Sequence, residues 1–244
     1  MTEVFGIQAA RAVLNENPER ARNLYILVGR RDARVNELIS LAKENGVRFQ
    51  SLKREAFERR LEDVSVAHQG VVLECKDLTT HGEKALLEHV KTLESPFILV
   101  LDGLTDPRNL GACLRSANAA GVDAVLLPKR NSAPLNDVAL KTAQGGAEQL
   151  FIAEVSNLAR VIKALKNQGV WVFGADGDAE QSHTSADFTA PCALVMGNEG
   201  KGLRRLTKEL CDHLVAIPMR GTVASLNVSV ATGILLFEIT RQRA

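Results

Sequence analysis

The first residues whose types suggest chemistry are Asn109 and Arg115, in the segment 101–121. A turn-rich stretch follows an apolar run there and leads into a helix of small residues, which is expected to begin near Asn109 and to be capped by its side chain. Arg115 lies two turns further, among alanines, so the helix is expected to be mostly covered. Because a covered guanidinium needs an anionic partner, we expect Arg115 to have one. The alternative is a plain cap and a solvated charge.

A second segment, 194–203, combines an apolar run with a glycine-rich turn, M-G-N-E-G-K-G-L, that contains Gly197 and Glu199. Glycines let backbone approach a ligand closely. The order of the glycines is G-x-x-G-x-G and not the G-x-G-x-x-G of dinucleotide sites, so a nicotinamide-dependent oxidoreductase is poorly supported. Taken alone, the segment also fits a simple connection between strand and helix, with Glu199 solvated.

The third segment, 217–233, ends an apolar run at Pro218 and continues as a polar loop. A helix is expected to open between Ser225 and Asn227, with Ser225 as its N-cap. The small residues at the start of this helix would permit close packing against another chain or element. In isolation Ser225 need do nothing more than cap the helix.

The elements that position these segments are strands of a parallel sheet. From residue 96 onward, continuous apolar runs alternate with helical patterns, which is typical of strands buried on both faces and joined by helices. In such sheets ligands bind beyond the carboxyl ends of the strands, where the three segments lie. The runs are 97–101, 124–127, 151–153, 170–173, 193–196 and 214–217.

The first part of the chain, residues 1–75, is interpreted as a smaller α/β domain. Helical spacing at 6–16 and 35–45 alternates with strand patterns, and Gly46 is expected to end the second helix. Residues 76–95, which contain a short amphipathic helix, are interpreted as a linker. Residues 96–244 then form the second domain.

Composition excludes several classes of protein. The 244 residues are 45% hydrophobic, and no apolar run is long enough for a membrane span. The first ten residues lack the features of a secretory signal, so a cytoplasmic protein without membrane contact is expected. The four cysteines form no C-x-x-C pair and the five histidines are scattered, which favours buried reduced thiols and argues against a metal site.

The net charge of only +1 means that nucleic-acid binding has to be argued from local groups of cations. Candidate RNA-binding residues are Arg30 and Arg31 in the first domain and Arg108 in the second. The basic pairs 129–130 and 204–205 also follow strands or open helices. A solvated charged face is the simpler interpretation of any one of these, but as a set near a site they would bind phosphates.

Taken together, the three segments resemble the ordered motifs of a known family. N-L-G-A-C-L-R-S-A at 109–117, M-G-N-E-G-K-G-L at 196–203 and I-P-M-R-G-T-V-A-S-L-N-V-S-V-A at 217–231 are similar to the motifs of the SpoU family, in the SPOUT class of RNA 2'-O-ribose methyltransferases. The resemblance covers residues 96–244. The first domain is similar to the ribosomal-protein-L30e-like substrate-binding domain that many members carry.

The resemblance implies a fold, a cofactor and a partner that the patterns alone do not supply. It implies a trefoil-knotted parallel-sheet α/β domain, one of the rare exceptions to unthreaded chains, after a smaller α/β domain. It also implies S-adenosylmethionine as methyl donor, a homodimer, and large-subunit ribosomal RNA as substrate. The modified group would be a guanosine ribose of 23S rRNA in the peptidyl-transferase region. A transfer RNA substrate, or a catalytically silent RNA-binding or ribosome-assembly factor, remains open.

The same resemblance implies roles for individual residues. The catalytic group would be Asn109, Arg115, Glu199, Ser225 and Asn227, and the cofactor would contact Gly197, Ile217, Met219 and Leu226. Arg115 would act on a cofactor held by the other subunit. The family's proposal that this arginine is a base conflicts with the permanent charge of a guanidinium. We therefore expect Arg115 to bind the target phosphate or the ribose oxygen and to favour the alkoxide electrostatically, while Glu199 orients Arg115 or Asn109.

Overall fold

The structure is a computed structural model that describes residues 2–30, 32–61 and 68–244. The chain divides into two compact units, Met1–Thr79 with Asn136–Gln149, and Thr80–Leu135 with Leu150–Ala244. The helices and strands are, in chain order, β1 Thr2–Phe5, α1 Ile7–Glu16, β2 Ala21–Leu27, α2 Ala33–Glu44, β3 Arg48–Leu52, α3 Arg54–Glu58, β4 Val71–Cys75, α4 Glu83–Lys91, β5 Phe97–Leu101, α5 Pro107–Ala119, β6 Ala124–Pro128, α6 Asp137–Ala143, β7 Phe151–Val155, α7 Leu158–Asn167, β8 Trp171–Ala175, β9 Cys192–Met196, α8 Arg205–Leu210, β10 His213–Val215 and α9 Val228–Arg243. Short 3-10 helices lie at Pro18–Arg20, Gly146–Gln149 and His183–Ser185.

The first unit is built on a four-stranded mixed sheet in the order β1-β4-β2-β3. Strand β4 is antiparallel to both of its neighbours, and β2 and β3 are parallel. Val13, Leu24 and Leu38 belong to a core cluster formed by α1, α2 and the sheet, and Tyr25 and Phe57 belong to a second, smaller cluster. The predicted α/β character of this part is confirmed. Strand β1 and helix α3 were not predicted.

A buried ion pair fixes a later segment of the chain to this first unit. Arg20 and Glu148, 128 residues apart, form a salt bridge in which their side chains are 5% and 3% exposed. Asn17 donates to the Glu148 carbonyl oxygen at 2.8 Å, and Arg20 also donates to the carbonyl oxygen of Lys76 at 2.9 Å. Segment 136–149 therefore belongs to the first unit, although it lies inside the range 96–244 that the sequence analysis gave to the second domain.

Removing one partner of this pair is expected to be strongly destabilising. In Glu148→Ala the Arg20 guanidinium stays buried without its counter-ion, and we expect a loss of about 3–5 kcal/mol in the free energy of unfolding. The matched control is Glu37→Ala, which breaks the half-exposed pair Arg11–Glu37 of the same unit and is expected to cost at most about 1 kcal/mol. Urea unfolding of both variants measures the difference. If both variants lost the same free energy of unfolding, burial of the Arg20–Glu148 pair would make no additional contribution to stability.

The second unit contains a six-stranded sheet in the order β10-β8-β9-β5-β6-β7, and every pair in it is parallel. The predicted parallel sheet is thus confirmed. Ile98 and Val100 of β5 lie in a core cluster with Leu86 of α4 and Ile162 of α7. The other face is covered at Phe97, whose ring lies 5.1 Å from the Arg243 guanidinium of α9. Because both faces are covered, the central strand carries only apolar residues.

Helix α4, Glu83–Lys91, lies within the stretch 76–95 that was predicted to be a linker with a short helix. It belongs to the second unit, where it contacts β7 and α7. His81, just before it, pairs with Ala153 of β7 in an isolated bridge. The rings of His81 and His89 both stack on the ring of Phe151, with their centroids 3.9 and 4.3 Å from its centroid. These contacts anchor the stretch to the edge of the sheet.

All four cysteines are free, as predicted. Cys75, Cys113 and Cys192 are buried and Cys211 is partly buried. Burial raises the pKa of Cys75 and Cys211 to about 12, and that of Cys113 and Cys192 to about 11. Such thiols are almost wholly protonated at neutral pH and are poor nucleophiles. Within the described ranges, no helix is both long and apolar enough to cross a membrane.

Candidate active site

The carboxyl ends of β8, β9 and β10 open into a cavity of about 900 Å³ in the second unit. Its walls come from three connections and from the start of α9. The lining stretches are 175–180, 196–203, 215–219 and 223–226, with Ser182, Lys208, Val228, Ala231 and Leu235. A cavity of this size is typical of a small-molecule or cofactor site. The second and third segments that the sequence analysis singled out therefore share one cavity.

The glycine-rich turn after β9 is folded tightly on itself. Asn198 and Gly202 exchange two backbone hydrogen bonds, of 3.0 and 2.9 Å. A Cβ atom at Gly197 would lie 2.2 Å from the carbonyl carbon of Gly202, so only glycine fits there. The side chain of Asn198 also donates to the carbonyl oxygen of Gly103 at 3.0 Å. These contacts fix the turn that carries Glu199 to the loop after β5.

A hydrogen-bonded chain of side chains joins all three motif segments. Asn109 Nδ2 donates to Glu199 Oε1 at 2.7 Å, and Asn109 Oδ1 accepts from Asn227 Nδ2 at 3.0 Å. Asn227 Oδ1 in turn accepts from the backbone N–H and the hydroxyl of Ser229, at 2.8 and 2.6 Å. Each amide thus has both its donor and its acceptor occupied, which gives it one orientation. We call Glu199, Asn109 and Asn227 the amide relay.

Two predicted helix caps are wrong. Helix α5 begins at Pro107, and its N-cap is Asp106, whose carboxylate accepts from the backbone N–H of Arg108. Asn109 thus lies inside the first turn, where its side chain is free to reach Glu199. Helix α9 begins at Val228 with Asn227, and not Ser225, as its N-cap. Aspartate and asparagine cap as well as serine, so the sequence did not discriminate between neighbouring candidates.

The expectation that Arg115 is covered is also wrong. Arg115 is exposed, and it shares its stripe of α5 with Arg108 and Ala119, which are exposed as well. The buried residues of the helix lie on its other sides, for example Leu114 and Ala117. No hydrogen bond or ion pair within the described part of the chain joins Arg115 to Glu199 or Asn227. The partner of Glu199 is Asn109.

The remaining predicted site residues line the cavity. Gly197, Ile217, Met219 and Leu226, which were predicted to contact a cofactor, are all in its wall. Ser225 also lines it and is exposed. Their proximity is therefore established, and their individual roles stay predictions.

The cavity contains one charged pair that the sequence analysis missed. Asp176, directly after β8, accepts a hydrogen bond from Lys208 of α8 at 2.6 Å. Burial acts to raise the pKa of Asp176, but the hydrogen bonds from Lys208 and from the Asp178 backbone outweigh it and hold the pKa below its usual value. The only signal in the sequence was the position of Asp176 after an apolar run.

The predicted RNA-binding arginines are placed as follows. Arg30, in the first unit, is partly exposed and lies 3.2 Å from the carboxylate of Asp32. Arg108, in the first turn of α5, is exposed. Arg31 lies outside the described residues. The described ranges contain no group of three or more histidine, cysteine, aspartate or glutamate side chains that could hold a metal ion.

Comparison with known families identifies the class of protein. Residues 96–237 match the SpoU rRNA Methylase family, and residues 4–81 match the family described as RNA 2'-O ribose methyltransferase substrate binding. The chain therefore belongs to the SpoU rRNA methylase family.

Particular relatives are similar along the whole chain. The 23S rRNA (guanosine-2'-O-)-methyltransferase RlmB of Escherichia coli K12 is 46% identical over 99% of this chain and 98% of its own length. RlmB of Shewanella oneidensis is 48% identical over 98% of this chain and 97% of its own length. The SpoU methyltransferase AviRb from Streptomyces viridochromogenes, solved in complex with AdoMet, has the same fold. Its TM-score is 0.80, at 22% identity, over 99% of this chain and 90% of its own.

Proposed function

We propose that this protein transfers a methyl group from S-adenosylmethionine to the ribose 2'-oxygen of a guanosine in 23S rRNA. The observation that carries the proposal is the amide relay, which ties all three motifs together beside a cofactor-sized cavity. The similarity to RlmB along nearly the whole chain supports the choice of substrate.

The residues of the cavity fit S-adenosylmethionine. The volume of about 900 Å³ accommodates it, and the loop after β9 approaches so closely that a side chain at position 197 would collide with backbone. Backbone groups at Gly197, Ile217 and Leu226 would hold the adenosine, and Met219 would contact it. When bound, the cofactor supplies a methyl group that its sulfonium has already activated, so the transfer is an in-line displacement.

The protein's own contribution is position and charge. The amide relay fixes the orientation of Glu199, which lines the cavity, and of Asn109, which is hydrogen-bonded to it. A ribose held in line with the cofactor by such groups has its activation barrier lowered by about 7–11 kcal/mol at most. Ser225 and Asn227 hold the loop before α9. In the transfer the 2'-oxygen bonds to the methyl carbon as the carbon–sulfur bond breaks, and the hydroxyl proton passes to solvent water. The positive charge of Arg115 would favour the negative charge that develops on the 2'-oxygen. Because Arg115 is exposed and forms no hydrogen bond or ion pair with the relay in the described part of the chain, we assign it to the site of a second subunit.

A homodimer through α9 is consistent with the surface of the second unit. Val230, Ile234 and Phe237 are 51%, 37% and 51% exposed and recur at helical spacing on one side of α9. The opposite side of α9 packs on α5, where Cys113 Sγ lies 3.5 Å from Thr232 Oγ1. An apolar stripe left exposed on a helix whose opposite side is buried supports the proposal that a second copy of the chain covers it.

Charging the stripe is expected to dissociate the dimer. In a two-fold symmetric dimer, Phe237→Glu puts two carboxylates into the interface, one from each subunit. We expect the dissociation constant of the dimer to rise by about 30-fold or more. The control is Leu206→Glu, at a 53% exposed leucine of α8 outside the stripe. Sedimentation equilibrium measures both variants. Unchanged association of Phe237→Glu, beside a folded control, would place any dimer interface elsewhere.

Residues 1–75 are proposed to bind RNA and 96–244 to form the methyltransferase domain, with a trefoil knot in its chain path and a cytoplasmic location. The linker predicted over 76–95 is now proposed only for residues 76–79, because α4 belongs to the second unit, and segment 136–149 is assigned to the first unit. Strand order alone does not specify a knot, so the knot stays a prediction.

The direct test of the proposed function is methylation of unmodified RNA. Purified protein is incubated with labelled S-adenosylmethionine and either 23S rRNA or transfer RNA transcripts, and nucleosides are analysed after digestion. The expected product is 2'-O-methylguanosine from 23S rRNA only. Label on transfer RNA alone would assign the chain to a tRNA-modifying branch. Absence of label, together with no cofactor binding by calorimetry, would indicate a catalytically silent RNA-binding factor.

A further inference from the structure

A fully buried carboxylate lies behind the loop that follows β5. Asp102 is 0% exposed, and its Oδ2 accepts a hydrogen bond from the hydroxyl of Thr207 at 2.6 Å. Its Oδ1 lies 3.2 Å from Nη1 of Arg204 and receives no well-aligned hydrogen bond. A buried carboxylate without a cationic partner is costly, so Asp102 constrains the position of the Arg204 guanidinium.

The guanidinium of Arg204 bridges two loops at the carboxyl edge of the sheet. Its Nη2 donates to the carbonyl oxygen of Asn131 at 3.3 Å, in the loop after β6. The same nitrogen would lie 3.0 Å from a Cβ atom at Gly103, so the planar group lies against backbone. The side chain nevertheless stays 47% exposed. The buried carboxylate of Asp102 therefore holds the Arg204 guanidinium in place, while part of the Arg204 side chain remains accessible to solvent.

Two further cations lie on the loop that Arg204 contacts. Lys129 and Arg130 follow β6 directly and are both exposed. Neither forms an ion pair with a carboxylate in the part of the chain that the structure describes. The formal charges of Arg204 and Asp102 cancel, so Lys129 and Arg130 supply the net positive charge and Arg204 supplies fixed geometry.

We infer that Lys129, Arg130 and Arg204 form a phosphate-binding surface for the backbone of the RNA substrate, with Asp102 as the residue that positions Arg204. The inference rests on the proposed function and adds a binding surface to it. Asn198 links this surface to the glycine-rich turn through its hydrogen bond to the Gly103 carbonyl oxygen. An anchored, planar guanidinium with free N–H groups matches the fork geometry of a phosphate, and neighbouring flexible cations suit a chain of phosphates.

The first test measures how salt affects RNA binding by the double variant Lys129→Ala/Arg130→Ala. We expect about tenfold weaker binding to unmodified 23S rRNA transcript and a slope of log K against log salt that falls by about 0.7–0.9 for each lost phosphate contact. The KM for RNA should rise, while kcat and the affinity for S-adenosylmethionine stay at wild-type values. The control is Lys163→Ala, at an exposed lysine of α7, with no change expected.

The second test separates charge from geometry at Arg204. Arg204→Ala should weaken RNA binding and lower the salt slope, whereas Arg204→Lys should keep the slope and still lose affinity, because lysine lacks the planar fork. Cofactor affinity and the melting temperature show whether each variant is folded. Wild-type RNA affinity in Arg204→Lys would overturn the positioning role of Asp102, because a lysine has no planar guanidinium to position.

The outcomes also separate this inference from the proposed function. Wild-type salt slope and RNA affinity in Lys129→Ala/Arg130→Ala, beside normal methylation of 23S rRNA by the wild type, would overturn the phosphate-binding surface alone. Failure of the wild type to form 2'-O-methylguanosine would instead overturn the proposed function.

Discussion

Replacing Asn109 by aspartate is expected to reduce methyl transfer at neutral pH by about 100-fold or more, with little change in size or shape at that position. In the wild type Asn109 donates to the Glu199 carboxylate at 2.7 Å. Asn109→Asp removes that donor and sets two carboxylates against each other at hydrogen-bond distance. Their repulsion separates the turn after β9 from the start of α5 and so displaces the residues that orient the ribose.

A second substitution distinguishes loss of the hydrogen bond from loss of asparagine itself. In the double variant Asn109→Asp/Glu199→Gln, the amide introduced by Glu199→Gln donates to the carboxylate introduced by Asn109→Asp. The bond from Asn227 is retained, since a carboxylate accepts it as an amide oxygen does. We expect the double variant to be more active than Asn109→Asp alone. Single-turnover rates at saturating RNA and cofactor measure the coupling.

An additive result would contradict this account. If the two substitutions reduced the rate independently, the 2.7 Å bond would have no part in catalysis, and Glu199 would act by its charge alone. The melting temperature of each variant is the control for folding, because the turn that Asn109→Asp displaces also lines the cavity and its displacement would change cofactor affinity.

The sheet of the second unit was predictable because its evidence is local. Strands β5, β6 and β9 are buried on both faces, so each appears in the sequence as an unbroken apolar run. The carboxyl ends of parallel strands meet at one edge, which brought the segments after β9 and β10 to one cavity as expected.

The contacts that the sequence did not reveal are all between distant residues. Asn109 meets Glu199 across 90 positions, a contact that only the family resemblance offered, as one of two alternatives for Glu199. Asn109 meets Asn227 across 118 positions, a contact that was not predicted, and nothing in local spacing selects either partner. The buried pair Arg20–Glu148 spans 128 positions and assigns the segment 136–149 to the first unit. Burial of Arg115 was misjudged because alanine fits a solvated helix stripe as well as a covered one.

Mixed dimers are expected to recover activity when one subunit carries Asn109→Ala and the other Arg115→Ala. Each variant alone should be nearly inactive. If each site combines the relay of one subunit with Arg115 of its partner, the mixed dimer has one site with both defects and one site with none. A two-fold symmetric enzyme should then show about half the wild-type rate per dimer. The two chains are coexpressed with different tags and purified through both.

The control for this experiment pairs Asn109→Ala with Glu199→Ala. These two residues are hydrogen-bonded within one chain, so every site of that mixed dimer keeps one defect and no recovery is expected. Recovery in the first pair and not in the second assigns Arg115 to the neighbouring subunit's site. Activity absent from both pairs would mean that Arg115 serves the relay of its own chain.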